Sequence, residues 1–341
     1  MAIADITVMG AGVFGLSVAY ACAQRGARVQ VIDPAGVAAG ASGGLVGALA
    51  PHVPENWNDK KAFQFDSLIM ADQFWADVTA LTGAATGYAR TGRLQPLADP
   101  RAVDLARVRA VSASDLWQGL AIWQVEPVND TPWMPPSPGG FVVRDTLSAL
   151  IHPRRATQAL ADAVLALGGT IRPVGTPTGK IVWATGWAGI QEIGGNGVKG
   201  QAALLRYDAA GAPQLFADAL HIIPHLDGTV AIGSTSEREF TDPTGTDSML
   251  DDVITRAVAA FPILQGAAVI ETWAGVRPRA PSRAPVLGAH PTRKDEYIAN
   301  GGFKIGFGMA PKVGQVMADL LLDGKDAIPE GFRAAPPIVR A

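Results

Sequence analysis

Short apolar runs alternate with mixed, helix-like stretches from the first residues on. Ile6-Thr7-Val8-Met9 predicts a buried strand, residues 17–25 an alanine-rich helix stopped by Gly26, and Arg28-Val29-Gln30-Val31-Ile32 a second strand closed by Asp33. Apolar positions at helical spacing (Phe63, Leu68, Phe74, Trp75, Val78) predict a packed helix over residues 60–81. Further helices are expected near residues 101–110, over 154–167 before Gly168-Gly169, and over 249–261, where Pro262 stops the last of them. Lys180-Ile181-Val182-Trp183 predicts a strand that runs into a turn at Gly186 and rejoins the first strands. Alternating segments at 203–207, 220–224 and 229–233, with Asp227-Gly228 as a turn, predict a separate antiparallel sheet. The C-terminal part reads as a strand from Tyr297, a Gly301-Gly302 turn, a second glycine turn at 306–308 and a helix beginning near Pro311. The Trp/Pro-rich patch around Trp117, Trp123, Trp133, Pro135 and Pro136 reads as packing.

At 341 residues the chain exceeds the usual limit of one hydrophobic core, so two domains are expected, and 48% apolar residues suffice to fill them. A net charge of −3 lacks the basic face that nucleic acid requires, which favours a small-molecule substrate. The single cysteine, Cys22, forbids a disulfide within the chain and a cysteine metal cluster. With a strand starting almost at Met1 and no uninterrupted apolar run of membrane-spanning length, a cytoplasmic protein without a signal segment is the expectation. No repeat or low-complexity segment is visible.

Chemistry is concentrated in the glycines. Gly10-Ala11-Gly12-Val13-Phe14-Gly15, set between a strand and a helix with Asp33 at the end of the next strand, is the dinucleotide fingerprint in its full context. Gly10 permits a tight turn, Gly12 lets amides approach a pyrophosphate, Gly15 lets the helix close on the strand, and Asp33 can accept from a ribose. The small-residue stretch from Gly40 through Ala41, Ser42, Gly43, Gly47, Ala48 and Leu49 to His52 is too apolar for a solvated linker and suits a flat ring system. His221 and His225 lie four apart, but on a strand pattern without acids or cysteines nearby, so no metal site is expected.

These residues resemble the D-amino-acid oxidase superfamily of FAD-dependent oxidoreductases, glycine-oxidase-like branch. The resemblance is carried by the fingerprint, by Gly40-Ala41-Ser42-Gly43, by Trp273-Ala274-Gly275-Val276-Arg277-Pro278 and by the block from Gly301-Gly302-Phe303-Lys304 through Gly306-Phe307-Gly308-Met309 to Pro311, with Val198-Lys199-Gly200-Gln201 as a weaker fifth. It implies a mixed α/β fold: a Rossmann-like FAD-binding domain assembled from residues 1–50, 145–190 and 285–341, and a mostly antiparallel substrate domain from 51–144 and 191–284. It also implies non-covalent FAD, since Cys22 belongs to the first helix. The pyrophosphate would lie at Gly10, Gly12, Val13, Phe14 and Gly15, and the ring near 41–49 with Gly186, Gly275 and Gly302 close by. The Gly306-Phe307-Gly308-Met309 turn would then face the ring's oxygen and N1 edge. Arg277 would grip a substrate carboxylate. Lys304 stands where relatives often carry Arg, and Gly302 where they often carry His, which leaves the substrate open. His52 and Tyr207 are further candidates for the active site.

The implied reaction is oxidation of an amino acid or secondary amine by hydride transfer to flavin N5, then imine hydrolysis, with electrons passing to oxygen or another acceptor. Two alternatives stay open: a tRNA wobble-uridine-modifying FAD oxidase, and a non-catalytic flavoprotein subunit. The particular amine, its stereochemistry and the oligomeric state are not fixed by the sequence.

Overall fold

The structure is a computed structural model that describes residues 3–334. Its first layer is a six-stranded sheet in the order Val286–Ala289, Tyr297–Asn300, Lys180–Trp183, Ile6–Met9, Val29–Ile32, Thr170–Arg172. Ile6–Met9 lies centrally, parallel to Val29–Ile32 on one side and to Lys180–Trp183 on the other, while Val286–Ala289 closes one edge antiparallel. Ile6, Val8, Val31 and Val182 are fully buried, as a parallel strand covered on both faces requires. Helix α1 (Val13–Gln24) buries nearly all its residues. It packs against α3 (Pro153–Ala166) and α4 (Gly306–Ala318), and α4 packs in turn on α2 (Asp59–Thr82).

The second layer is an eight-stranded sheet in the order Val269–Arg279, Asn196–Arg206, Thr229–Gly233, Leu220–Pro224, Gln214–Ala217, Arg93–Pro96, Phe141–Asp145, Trp123–Pro127. Its pairings are antiparallel except for Gln214–Ala217 with Arg93–Pro96. The hairpin turn is where Asp227-Gly228 placed it: Gly228 has φ +79° and His225 donates its N–H to Thr229 O at 2.8 Å. One face carries Ala203, Leu205, Ile222, Val230 and Ile232 against the helix Ser248–Ala260. The opposite face turns toward the first layer. A two-stranded ribbon, Ala48–Leu49 with Ala149–Leu150, accompanies the ring-side stretch. There Gly47 is forced by space, because a Cβ would fall 1.7 Å from Ile151 O.

Two elements differ from the reading of the sequence. The helix expected near Pro311 begins at Gly306, so Pro311 sits inside it. Local glycine content argued for a turn, but Met309 is fully buried and a Cβ on Gly308 would touch Leu68, so tertiary packing holds the first turn helical. The strand expected at 203–207 runs instead over Asn196–Arg206, which absorbs Val198-Lys199-Gly200-Gln201. Among the described residues no helix is long and apolar enough to cross a membrane.

Candidate active site

Between the layers lies a cleft of about 600 Å3. Its floor is the fingerprint: Gly10, Gly12, Val13, Phe14 and Asp33 all line it. Each glycine has a spatial reason. Gly10 has φ +117°, and a Cβ there would sit 2.3 Å from Ala184 O; a Cβ on Gly15 would sit 2.1 Å from Gly10 O, which keeps Gly15 at the helix–strand contact and out of the cleft. A Cβ on Gly12 would meet only Ser42 Oγ, at 3.2 Å. Gly12 is the N-cap of α1 and supplies no side-chain cap, so the helix presents backbone donors and its positive end to the cleft. Ser42 Oγ accepts from the Val13 N–H at 2.9 Å, and Asp33 accepts from the amides of Ala11 at 2.7 Å and Ala35 at 2.9 Å.

Ala41, Ser42, Gly44 and Ala48 line the cleft, as do Gly186, Trp273, Gly275 and Arg277, with the Trp273 ring lying against Gly44. Gly275 is bare because the Trp273 ring occupies its space: a Cβ would lie 2.4 Å from that ring. Beside the fingerprint, with Gly302 against Phe14 and Gly306 against Val13, are Gly302, Phe303, Lys304, Gly306 and Phe307, where α4 begins with Ile305 as an N-cap that likewise lacks a side-chain bond. Two helix N-termini, of α1 and α4, thus open into one cleft.

Arg277 projects from strand Val269–Arg279 and is held by neutral partners: it donates Nη1 to Thr235 O at 3.3 Å and Nη2 to Ser234 Oγ. It forms no ion pair among the described residues. Burial pushes its guanidinium down to about 10, with Glu237 acting the other way, so it stays charged at neutral pH. Lys304 donates Nζ to Ser236 Oγ at 2.7 Å. Burial, then the charge of Arg277, lowers its pKa.

Several candidates fall elsewhere. Leu49 and Met309 are core side chains; along the ribbon Ala48 faces the cleft and its neighbour Leu49 the interior, as strand alternation dictates. Gly43 backs onto Ala38 O, where a Cβ would lie 2.3 Å away, and lines a separate surface groove with Arg154. Gly47 and Gly308 serve close packing. His52 is tied to Gln64 of α2 by its backbone amide and its ring, and burial lowers its pKa. Tyr207 requires correction: it follows Ala203 and Leu205 onto the helix-covered face and packs 6.1 Å from the Trp133 ring, so it does not line the cleft.

Other residues were given no role at the site by the sequence. Ser234, Thr235 and Ser236 hold both cations. Behind them Glu237 bonds Gln201 Nε2 at 3.1 Å and pairs with Lys199 at 3.6 Å, and the Lys199 and Glu237 backbones exchange hydrogen bonds. His221, opposite Gly233 in the register, is brought to about 3 by burial and by the charges of Arg93, Lys304 and Arg277, and is therefore a neutral ring. Gly200 supplies the space for Arg277, since a Cβ there would fall 1.9 Å from Nη2. The clash is with the end of a flexible side chain, so Gly200→Ala is expected to fold normally while displacing the guanidinium. Steady-state kinetics should show KM raised about tenfold, the equivalent of about 1.4 kcal/mol, with the melting temperature little changed.

A glycine-floored cleft between a mostly parallel sheet and a mostly antiparallel one, lined by the dinucleotide fingerprint and by two cations, defines a dinucleotide-dependent oxidoreductase. The chain belongs to the DAO family of FAD-dependent oxidoreductases, whose model matches residues 5–320. It is 28% identical to the bifunctional protein ThiO/ThiG of Synechocystis over 94% of this chain and 52% of that protein, so it spans about half the length of that relative. It is 23% identical to a glycine oxidase of Bacillus licheniformis over 93% of each. Two solved structures share the fold at TM-score 0.84: glycine oxidase from Geobacillus kaustophilus, at 19% identity over 98% of this chain and 99% of that one, and iminodiacetate oxidase from Chelativorans, at 20% identity over 97% and 100%. The protein is an enzyme and its cofactor is FAD. The residues present fit that group: Gly12 leaves the N-terminus of α1 bare toward the cleft, the helix's positive end with its Ser42-bonded first amide would face a pyrophosphate, and Asp33 stands at the end of the second strand.

Proposed function

We propose that this chain oxidises a small amino acid or secondary amine that carries a carboxylate. The observation that carries the reading is Arg277: a permanent cation in the cofactor cleft, bonded only to neutral oxygens and facing open space. A planar guanidinium matches a carboxylate through parallel hydrogen bonds. Glycine oxidase and iminodiacetate oxidase, two proteins sharing this fold, are named for substrates of that type.

FAD, when bound, supplies the two-electron acceptor for a hydride leaving the substrate α-carbon. Arg277 fixes the carboxylate, and Trp273, its ring packed over Gly275, walls the cleft and so restricts how the amine can lie. Loss of the hydride and of the amine proton leaves an imine, and water then releases the oxo acid and an amine or ammonia. The residues lining the cleft include no histidine, and Asp33 at its fingerprint end is the one carboxylate among them, consistent with a reaction that asks the protein for orientation more than for proton transfer. Residues 1–50, 145–190 and 285–341 would bind FAD and the rest the substrate. Anaerobic addition of a D-, L- and N-methyl amino acid panel to the FAD-loaded protein is expected to bleach the flavin with one group of amines. If no amine in the panel reduces it, the reading fails.

A further inference from the structure

We infer that the substrate carries two carboxylates, one bound by Arg277 with Ser234 and the other by Lys304 with Ser236; the inference rests on the amine-oxidising reading. Both cations line the same cleft from different elements, and neither forms an ion pair among the described residues. The nearest acid does not neutralise them, because Glu237 is committed to Lys199, Gln201 and Thr235. A single carboxylate would pair with one cation and leave the other, Lys304 at the exposed mouth of the cleft, without an anion. The segment 234–236 builds two stations, an inner one at Ser234 in the cleft and an outer, exposed one where Ser236 meets Lys304. Ser234 Oγ accepts from Arg277 and Ser236 Oγ accepts from Lys304, so each hydroxyl keeps its own proton to donate to an anion held by the cation beside it.

The two stations are separated by two residues of backbone, on the order of 7 Å at full extension. That span suits carboxylates joined by a three-atom spacer. Between them the α-carbon would be held over the cofactor from both ends, a stronger constraint on orientation than one ion pair gives.

The test titrates the FAD-loaded protein with glutarate and with butyrate, which share a chain and differ in the second carboxylate, and reads flavin absorbance and melting temperature. Glutarate is expected to bind at least tenfold tighter. Lys304→Met should collapse that ratio to about one, and Lys304→Arg should restore most of it. Glutamate should likewise reduce the flavin with a KM at least tenfold below that of 2-aminobutyrate of the same hand. Equal binding of glutarate and butyrate to the unmodified protein overturns the inference. So does a Lys304→Met variant that weakens both ligands alike, which would assign Lys304 to the charge of the flavin instead. Tight glutarate binding without bleaching by any amine would leave the two-anion site standing and sink the oxidation.

Discussion

Arg277→Met should raise KM for the substrate by about 30- to 1,000-fold, because removing one partner of a hydrogen-bonded charge pair in a closed site costs about 2–4 kcal/mol. The flavin spectrum and melting temperature should hardly move, since Arg277 bonds only Ser234 and Thr235 in the protein and carries no part of either core. Arg277→Lys should recover little, because a point charge on a flexible stem cannot present two parallel donors. The pH profile offers a second readout with a definite sign. Lys304 binds as a cation only below its pKa, which burial and then the Arg277 charge hold beneath the ordinary value of 10.5. Residual binding in Arg277→Met should therefore persist to higher pH than in the parent, because one of the two depressing influences is gone. A KM unchanged within twofold would remove Arg277 from the carboxylate role.

The fingerprint was legible because its parts are local. Strand, glycine turn, helix and second strand follow one another without long-range help, and each glycine answers to a neighbour near in sequence or to the strand that joins beside it. Arg277 and Lys304 were legible as blocks, but what they have in common was not. Their shared holder, residues 234–236, comes near them only through the pairing of Asn196–Arg206 with both Thr229–Gly233 and Val269–Arg279. Register across three strands is not written in any one of them. Gly200 shows the same limit: in the sequence it belongs to a weak block without a stated role, and only its pairing with Gly275, two residues before Arg277, reveals that it clears room for a guanidinium. Tyr207 failed for a simpler reason. Parity along the strand sends Ala203, Leu205 and Tyr207 to the helix side and Ala202 to the cleft, and choosing the face requires knowing which side the helix covers. Leu49 and Met309 lie in stretches rich in cleft residues, yet their bulk was recruited to the core.

The three fingerprint glycines should separate by substitution even though their sequence context is shared. Gly10→Ala combines a positive φ with a Cβ driven to 2.3 Å from the Ala184 carbonyl oxygen, a backbone atom just past the end of strand Lys180–Trp183 that is pinned by the Ala184 N–H bond to Met9 O at 2.8 Å. Backbone strain and collision together should cost about 3 kcal/mol or more, placing the change among the severe class of single substitutions. Denaturant unfolding of the FAD-free protein should show a lower midpoint with an unchanged slope. Gly12→Ala has no such obstacle, since its Cβ would meet only the Ser42 hydroxyl at 3.2 Å. It should fold with near-parental stability and lose FAD affinity by tenfold or more, because the methyl group stands where a pyrophosphate must approach the first amides of α1. Stability measured without FAD and affinity measured by flavin fluorescence thus move independently at two glycines two residues apart. A Gly12→Ala protein that takes up FAD as tightly as the parent would mean that the pyrophosphate does not lie against the N-terminus of α1.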